Sequence, residues 1–155
     1  MTPAIQRLDQ LGIEHAVHGY EPARAASDYG IDASAQLGVP AERVFKTLIA
    51  ELDTHELVAA VVPVSHRLHM KSLARAIGAK KAFMADRARV EKTTGYVLGG
   101  VSPLGQKTAL RSVIDTSAQA FDTIFVSGGR RGLEIEISPD TLCALIEGLF
   151  TDLVR

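Results

Sequence analysis

Lys46 is the side chain whose setting most invites chemistry. It stands inside the apolar run Val44-Phe45-Lys46-Thr47-Leu48-Ile49-Ala50, where a buried charge needs a partner. Two settings fit: an edge lysine that keeps its head in water, or a cleft lysine that meets an anion such as a phosphate. Thr47 falls on the opposite face of the same strand, but its backbone N–H can still serve a site. The second candidate is Thr94 to Lys107, which holds four of the thirteen glycines in fourteen residues. Within it, Gly99, Gly100 and Ser102 form a Gly/Ser/Pro-rich connection between apolar runs. Such a loop either carries a site on a rigid scaffold or simply connects. The joint Ser127-Gly128-Gly129-Arg130-Arg131-Gly132 is similar, and its glycines let a ligand lie against the backbone. Neither loop has the spacing of a phosphate-binding G-x-x-x-x-G-K-[ST] or G-x-G-x-x-G motif.

Other chemistry-bearing residues are less promising. Residues 66–81 contain Arg67, Lys71, Arg75, Lys80 and Lys81 and no acid. This is either a solvated helix face or a surface for an anionic partner. His66 and His69 lie three apart without a third ligand, so no metal site is expected. Glu134 and Glu136 lie two apart on one strand face, a spacing that fits solvated strand carboxylates better than an acid–base pair. Cys143 sits beside a helical core stripe with no activating base, as a packed thiol would. There is no G-x-S-x-G elbow and no Cys/His signature.

The composition sets the frame. A chain of 155 residues, 46% hydrophobic, suggests one domain spanning 1–155. It can bury roughly 70% of its unfolded surface without staples. One cysteine excludes an internal disulfide and fits a reducing compartment. A formal charge of -1 gives no global attraction to nucleic acid but leaves room for a local basic surface. No signal-peptide core and no apolar run near ~18 residues is visible, so a soluble, cytoplasmic protein without a cofactor is expected.

Several elements must position these groups. Thr2-Pro3 opens a helix that carries Ile5, Leu8 and Leu11 and stops at Gly12. The alternation over Ile13 to Tyr20 predicts a strand. Ile31 to Leu37 reads as a short helix ending at Gly38. Val44 to Ala50 and Leu57 to Val62 read as an antiparallel hairpin covered on both faces. Leu73 and Ile77 give residues 66–81 a helical core face that Gly78 stops. Ala82 to Ala85 reads as a brief strand, and Asp86 caps a helix through Thr93. Tyr96 to Leu98 looks strand-like. Ala109 to Ile114, Asp122 to Val126 and Leu133 to Ile137 are predicted strands. Ser138-Pro139 starts a last helix with Leu142, Leu145, Ile146 and Leu149 on its apolar face. This order is neither a βαβ series nor all-β, which implies α+β: a mixed, largely antiparallel curved sheet flanked by helices.

Six segments together resemble the YbaK-type aminoacyl-tRNA deacylases, relatives of the editing domain of bacterial prolyl-tRNA synthetase. They are Val44-Phe45-Lys46-Thr47-Leu48, Ile77-Gly78-Ala79-Lys80-Lys81, Met84-Ala85-Asp86, Thr94-Gly95-Tyr96, Gly99 to Lys107, and Val126-Ser127-Gly128-Gly129 with Arg131-Gly132-Leu133. The resemblance spans nearly the whole chain and implies a trans-editing deacylase for Cys-tRNA(Pro). Cysteine and proline are too close in size for one pocket to separate, so a second site removes the error. In that family the substrate's own thiol attacks its ester. On this resemblance Lys46 is the key lysine, holding the 3′ terminal phosphate or ester end. Gly99, Gly100 and Ser102 would shape the aminoacyl pocket, Tyr20 and Tyr29 would be its aromatic residues, and Ser127, Gly128 and Gly129 another wall. Arg67, Lys71, Arg75, Lys80 and Lys81 would meet acceptor-stem phosphates. Prolyl-tRNA synthetase is the implied partner, in a transient ternary complex. The alternatives are a deacylase for another mischarged tRNA such as Ala-tRNA(Pro), or a non-catalytic tRNA- or synthetase-binding module.

Overall fold

A computed structural model describes residues 1–155 except 25 and 27. Capping explains most helix limits. The Thr2 hydroxyl accepts from the Ile5 N–H and Pro3 follows at the first turn, starting α1 (Pro3–Leu11); Gly12, with φ 65°, ends it. Asp28 caps α2 (Tyr29–Leu37) by accepting from the Ile31 N–H. His69 caps α3 (Met70–Ile77), and Asp86 caps α4 (Arg87–Thr94). Each cap satisfies a backbone donor that the first helical turn leaves open.

The strands form two sheets. β1 (Ala16–Gly19), β7 (Leu133–Ile137) and β6 (Ile124–Ser127) make an antiparallel three-stranded sheet in the order β1-β7-β6. The second sheet takes β2 (Phe45–Leu52), β3 (Leu57–Pro63), β4 (Ala82–Met84), β5 (Arg111–Asp115) and β8 (Leu149–Thr151) in the order β4-β2-β3-β5-β8. Four of the six strand pairings are antiparallel; β3–β5 and β5–β8 are parallel. The architecture is the expected mixed, mostly antiparallel α+β class. Its strands are divided between two sheets that meet where Val44 bridges Phe125.

β3 is buried at every residue, because helices and the smaller sheet cover both of its faces. On one side Phe45, Ile49, Ala59 and Val61 pack with α1, Tyr96, Ile114 and Ile135. On the other, Ala50, Val58, Ala60 and Val62 pack with Leu73 of α3 and Leu153.

Four local expectations change. The strand foreseen over Ile13 to Tyr20 is confined to Ala16–Gly19, because Ile13 turns back to bond the Leu8 carbonyl. The helix foreseen within residues 66–81 has only eight residues, so Arg67 precedes it and Lys80 and Lys81 follow it. Tyr96 to Leu98 is not a strand: Tyr96 is buried, whereas Val97 and Leu98 are exposed on a turn closed by Gly100 N–H to Val97 carbonyl, 3.0 Å. The last helix, α5 (Pro139–Leu145), ends before Ile146, and Glu147 adopts a left-handed φ of 50°. Leu149 therefore leaves the helix and opens β8 against β5.

Candidate active site

The backbone of β2 creates the central opening. Val44 and Leu52 bond Val64 and Glu56, the residues just beyond the two ends of β3, while Ile49 and Asp53 bond Ala85 and Lys81, those just beyond the two ends of β4. Alternation along an antiparallel strand therefore sends the N–H and C=O of Thr47 away from β3. On that edge β6 meets the chain at Val44, and β4 joins it only from Ala50 onward. The Thr47 peptide faces the interval between them. A cavity of about 290 Å³ lies there, lined by Lys46, Thr47, Tyr20, Tyr29, Gly99 and Ser127 among others.

The structure thus gathers residues from four distant segments of the chain. Lys46 is half-buried on the wall. The Thr47 hydroxyl is buried and has no hydrogen-bond partner among the described residues. The Ser127 hydroxyl accepts from the Gly129 N–H at 3.1 Å. Met84, Leu98 and Tyr29 line the cavity while each is 40–50% exposed, so the mouth is apolar. No histidine or cysteine lines it among the described residues.

Four foreseen pocket residues, Gly100, Ser102, Gly128 and Gly129, lie outside the lining and hold the loops that form it. A side chain at Gly100 would place its Cβ 2.7 Å from the Arg130 Cα, so only glycine lets these two loops touch. Ser102 is fully buried, and its hydroxyl accepts from the Leu104 N–H at 3.2 Å. The Gly128 carbonyl accepts from the Thr2 hydroxyl, and Gly129 packs on Thr2 and the Tyr96 ring. Tyr96 fastens the same loop: its hydroxyl donates to the Leu104 carbonyl at 2.6 Å, and burial pushes its pKa up to about 12.

The five cations around α3 are all exposed, and none lines the cavity. Lys80 and Lys81 donate their backbone N–H groups to Asp53. His69 is held by Ser72 at the helix start, and His66 lies beside Ser65.

Glu134 corrects the expectation of solvated strand carboxylates. It is 6% exposed and lines the cavity, and burial pushes its carboxyl up to about 8. Burial is also the main cause that raises the Tyr20 hydroxyl. Glu136, on the same strand face, serves structure instead: it accepts from Thr123, His18 and Arg43, which together hold its carboxyl low against the effect of burial. Nothing in the alternation of β7 separates the two. Only the pairing of Glu134 with His18 and Ser127 places it inside. Asp28, Met84 and Leu98 were likewise not singled out as lining residues; the capping position of Asp28 before α2 is the one local signal among them.

The fold corresponds to a known class. The model of the aminoacyl-tRNA editing domain matches residues 24–145, and the chain belongs to that family. The protein named "Putative Cys-tRNA(Pro)/Cys-tRNA(Cys) deacylase EbsC" of Enterococcus faecalis is 36% identical over 98% of this chain and 92% of its own. The proline–tRNA ligase of Geobacter metallireducens is 34% identical over 71% of this chain, which corresponds to 19% of the ligase. A crystal structure described as "a putative trans-editing enzyme for prolyl tRNA synthetase" shares the fold, with a TM-score of 0.85 at 22% identity, covering 100% of this chain and 99% of the other. Among the described residues, no helix is long and apolar enough to cross a membrane.

Proposed function

We propose that this protein is a trans-editing enzyme that removes cysteine from mischarged Cys-tRNA(Pro). The observation that carries this reading is a small cavity with a lysine and an outward-facing Thr47 peptide but no side chain set up as a nucleophile. Ser127 lines it, yet among the described residues no histidine stands there as its base, and an unassisted hydroxyl is a weak nucleophile. The nucleophile then belongs to the substrate. Its thiol sulfur attacks the ester carbonyl carbon, an S–C bond forms, and the C–O bond to the ribose breaks. The thiol proton passes to the departing ribose oxygen, and a cyclic thioester leaves.

What remains for the protein is geometry and charge. The cavity, at the lower end of the ~300–1,000 Å³ usual for ligand sites, folds a small aminoacyl group toward its own ester. The Thr47 N–H is placed to donate to the developing oxyanion, and Lys46 meets the phosphate or ester end of the terminal adenosine. Tyr20, Tyr29, Gly99 and Ser127 form the walls. Gly100, Ser102, Gly128 and Gly129 act one step back, by holding those walls. Arg67, Lys71, Arg75, Lys80 and Lys81 contact the acceptor stem. The chain works as a single deacylase unit in the cytoplasm. It takes tRNA identity from a transient complex with prolyl-tRNA synthetase.

A deacylation panel tests this. Cys-, Ala- and Ser-charged tRNA(Pro) are followed with and without prolyl-tRNA synthetase. Cys-tRNA(Pro) is cleared while Ser-tRNA(Pro), similar in size but lacking the thiol, survives. Equal rates for the two would replace the thiol with an activated water, and clearance of Ala-tRNA(Pro) alone would reassign the substrate.

A further inference from the structure

Tyr29 is the most exposed aromatic wall of the cavity, at 40% exposure, yet two groups lie against its ring. One is Gly99: a Cβ there would lie 2.8 Å from the Cδ2 and Cε2 atoms of the ring. The other is Arg131, whose guanidinium carbon lies over the ring, 4.4 Å from its centroid. Arg131 belongs to the β6–β7 joint, about a hundred residues along the chain from the groups it holds. Its Nη2 donates to the Ala23 carbonyl at 2.7 Å and to the Asp32 carboxylate at 3.3 Å.

Asp32 is 7% exposed and lies on α2, one turn after Tyr29. The same carboxylate oxygen accepts from the Ala23 N–H at 3.0 Å, and the other oxygen accepts from Gln36. Burial works to raise this carboxyl, but the Ala23, Gln36 and Arg131 contacts outweigh it and hold the group below its usual range. Asp32 is therefore a charged anchor for Arg131. One guanidinium ties the backbone of Ala23 and the Asp32 side chain to the Tyr29 ring. A planar fork that bonds through its edge while stacking through its face is available to arginine and not to lysine.

We propose that Arg131 is the positioning residue that locks Tyr29 against Gly99 and thereby sets the largest side chain the cavity admits. This rests on the deacylase reading. Asp28 caps α2 through its own bond to Ile31, so the helix start does not depend on Arg131. Loss of Arg131 frees the ring rather than the helix. The ring then swings toward solvent, and the cavity widens on that side.

The probe is a bulkier substrate that keeps the thiol. tRNA charged chemically with β,β-dimethylcysteine adds two methyl groups, so it reports cavity size whether the ester is cleared by thiol or by water. The unmodified protein clears the cysteinyl ester at least about tenfold faster than the dimethylated one, since two extra methyl groups in a tight pocket cost about that much. Arg131→Ala reduces this preference by about tenfold. Tyr29→Ala does the same, and the double variant goes no further than Tyr29→Ala alone. Arg131→Lys shifts the preference less, in the same direction, and serves where Arg131→Ala fails to fold. Relaxed selectivity is a change that simple loss of structure does not produce. If the two rates fall in proportion and the preference holds within twofold, the proposal is overturned.

A second readout needs no turnover. In protein carrying ¹³C-tyrosine, only three rings, Tyr20, Tyr29 and Tyr96, give signals. Arg131→Ala or Arg131→Lys shifts the Tyr29 signal more than that of Tyr20, whose hydroxyl also feels the Arg131 charge, and leaves Tyr96 in place. An unmoved Tyr29 signal overturns the lock. Failure of the unmodified protein to clear either ester overturns the deacylase reading instead, and the ring signals still decide whether Arg131 holds Tyr29.

Discussion

Gly99 and Tyr29 share one wall of the cavity: the Gly99 backbone lies so close to the ring that a single added carbon would stand 2.8 Å from it. Gly99 also has φ 91°, a conformation that L side chains rarely adopt.

Gly99→Ala therefore carries two penalties, backbone strain and displacement of the ring. The variant loses more than about 1 kcal/mol of stability, and its deacylation rate falls more than its stability loss accounts for. Urea unfolding and a deacylation assay on the folded protein separate the two. A stable, fully active Gly99→Ala would mean that the ring has room to move without consequence.

Glu134 makes stability depend on pH. Its carboxyl is raised from 4.5 to about 8 in the folded protein, so between those values the folded state binds a proton that the unfolded state does not. Its contribution to stability is complete below about pH 4.5 and is lost as pH rises toward 8. At about 1.4 kcal/mol per unit, such a shift corresponds to several kcal/mol. Glu134→Gln flattens this slope: it matches the unmodified protein at pH 5 and exceeds it at pH 9 in urea unfolding. An unchanged slope would place the carboxyl in water.

Much of the fold was legible because its signals are local. Thr2, Asp86 and Ser138 cap helices by bonds within three residues, and Gly12, Gly38, Gly78 and Gly95 end them in the left-handed region; the cap at Asp28 starts α2 two residues before the expected Ile31. The β2–β3 hairpin showed in its apolar runs. Lys46 stood out as a charge in an apolar strand, and it lies on the cavity wall. What was not legible depends on contacts far along the chain. Glu134 and Glu136 look alike in β7, and only the elements beside them make one a cavity residue and the other a partner of Arg43. Arg131 carries no local mark, because its partners lie 99 and 108 residues away. β8 was hidden because Leu149 continues the helical spacing that Glu147 and Gly148 interrupt.

Ser102 holds its loop instead of touching the cavity. Ser102→Ala leaves the Leu104 N–H without its acceptor inside the protein, which costs about 1–3 kcal/mol. The melting temperature falls, while the turnover of the protein that remains folded stays within about threefold. A large loss of turnover at unchanged stability would return Ser102 to the cavity wall.

On the proposed reading, Lys71 and Arg75 on α3 bear on tRNA affinity, not on the chemical step. Lys71→Ala together with Arg75→Ala raises KM for charged tRNA and lowers the slope of log affinity against log salt by about one to two. The maximal rate is unchanged. A salt slope equal to that of the unmodified protein would assign the acceptor stem to another surface.

Lys46 provides the most direct test of the central claim. Single-turnover clearance of Cys-tRNA(Pro) is measured for the unmodified protein and for Lys46→Ala, with unfolding of both followed in parallel. Lys46 is half-buried on a strand, so removing its ammonium leaves the melting temperature nearly unchanged. The rate falls at least about 100-fold, equivalent to about 2.7 kcal/mol of transition-state stabilisation. Full clearance of Cys-tRNA(Pro) by folded Lys46→Ala would contradict the account.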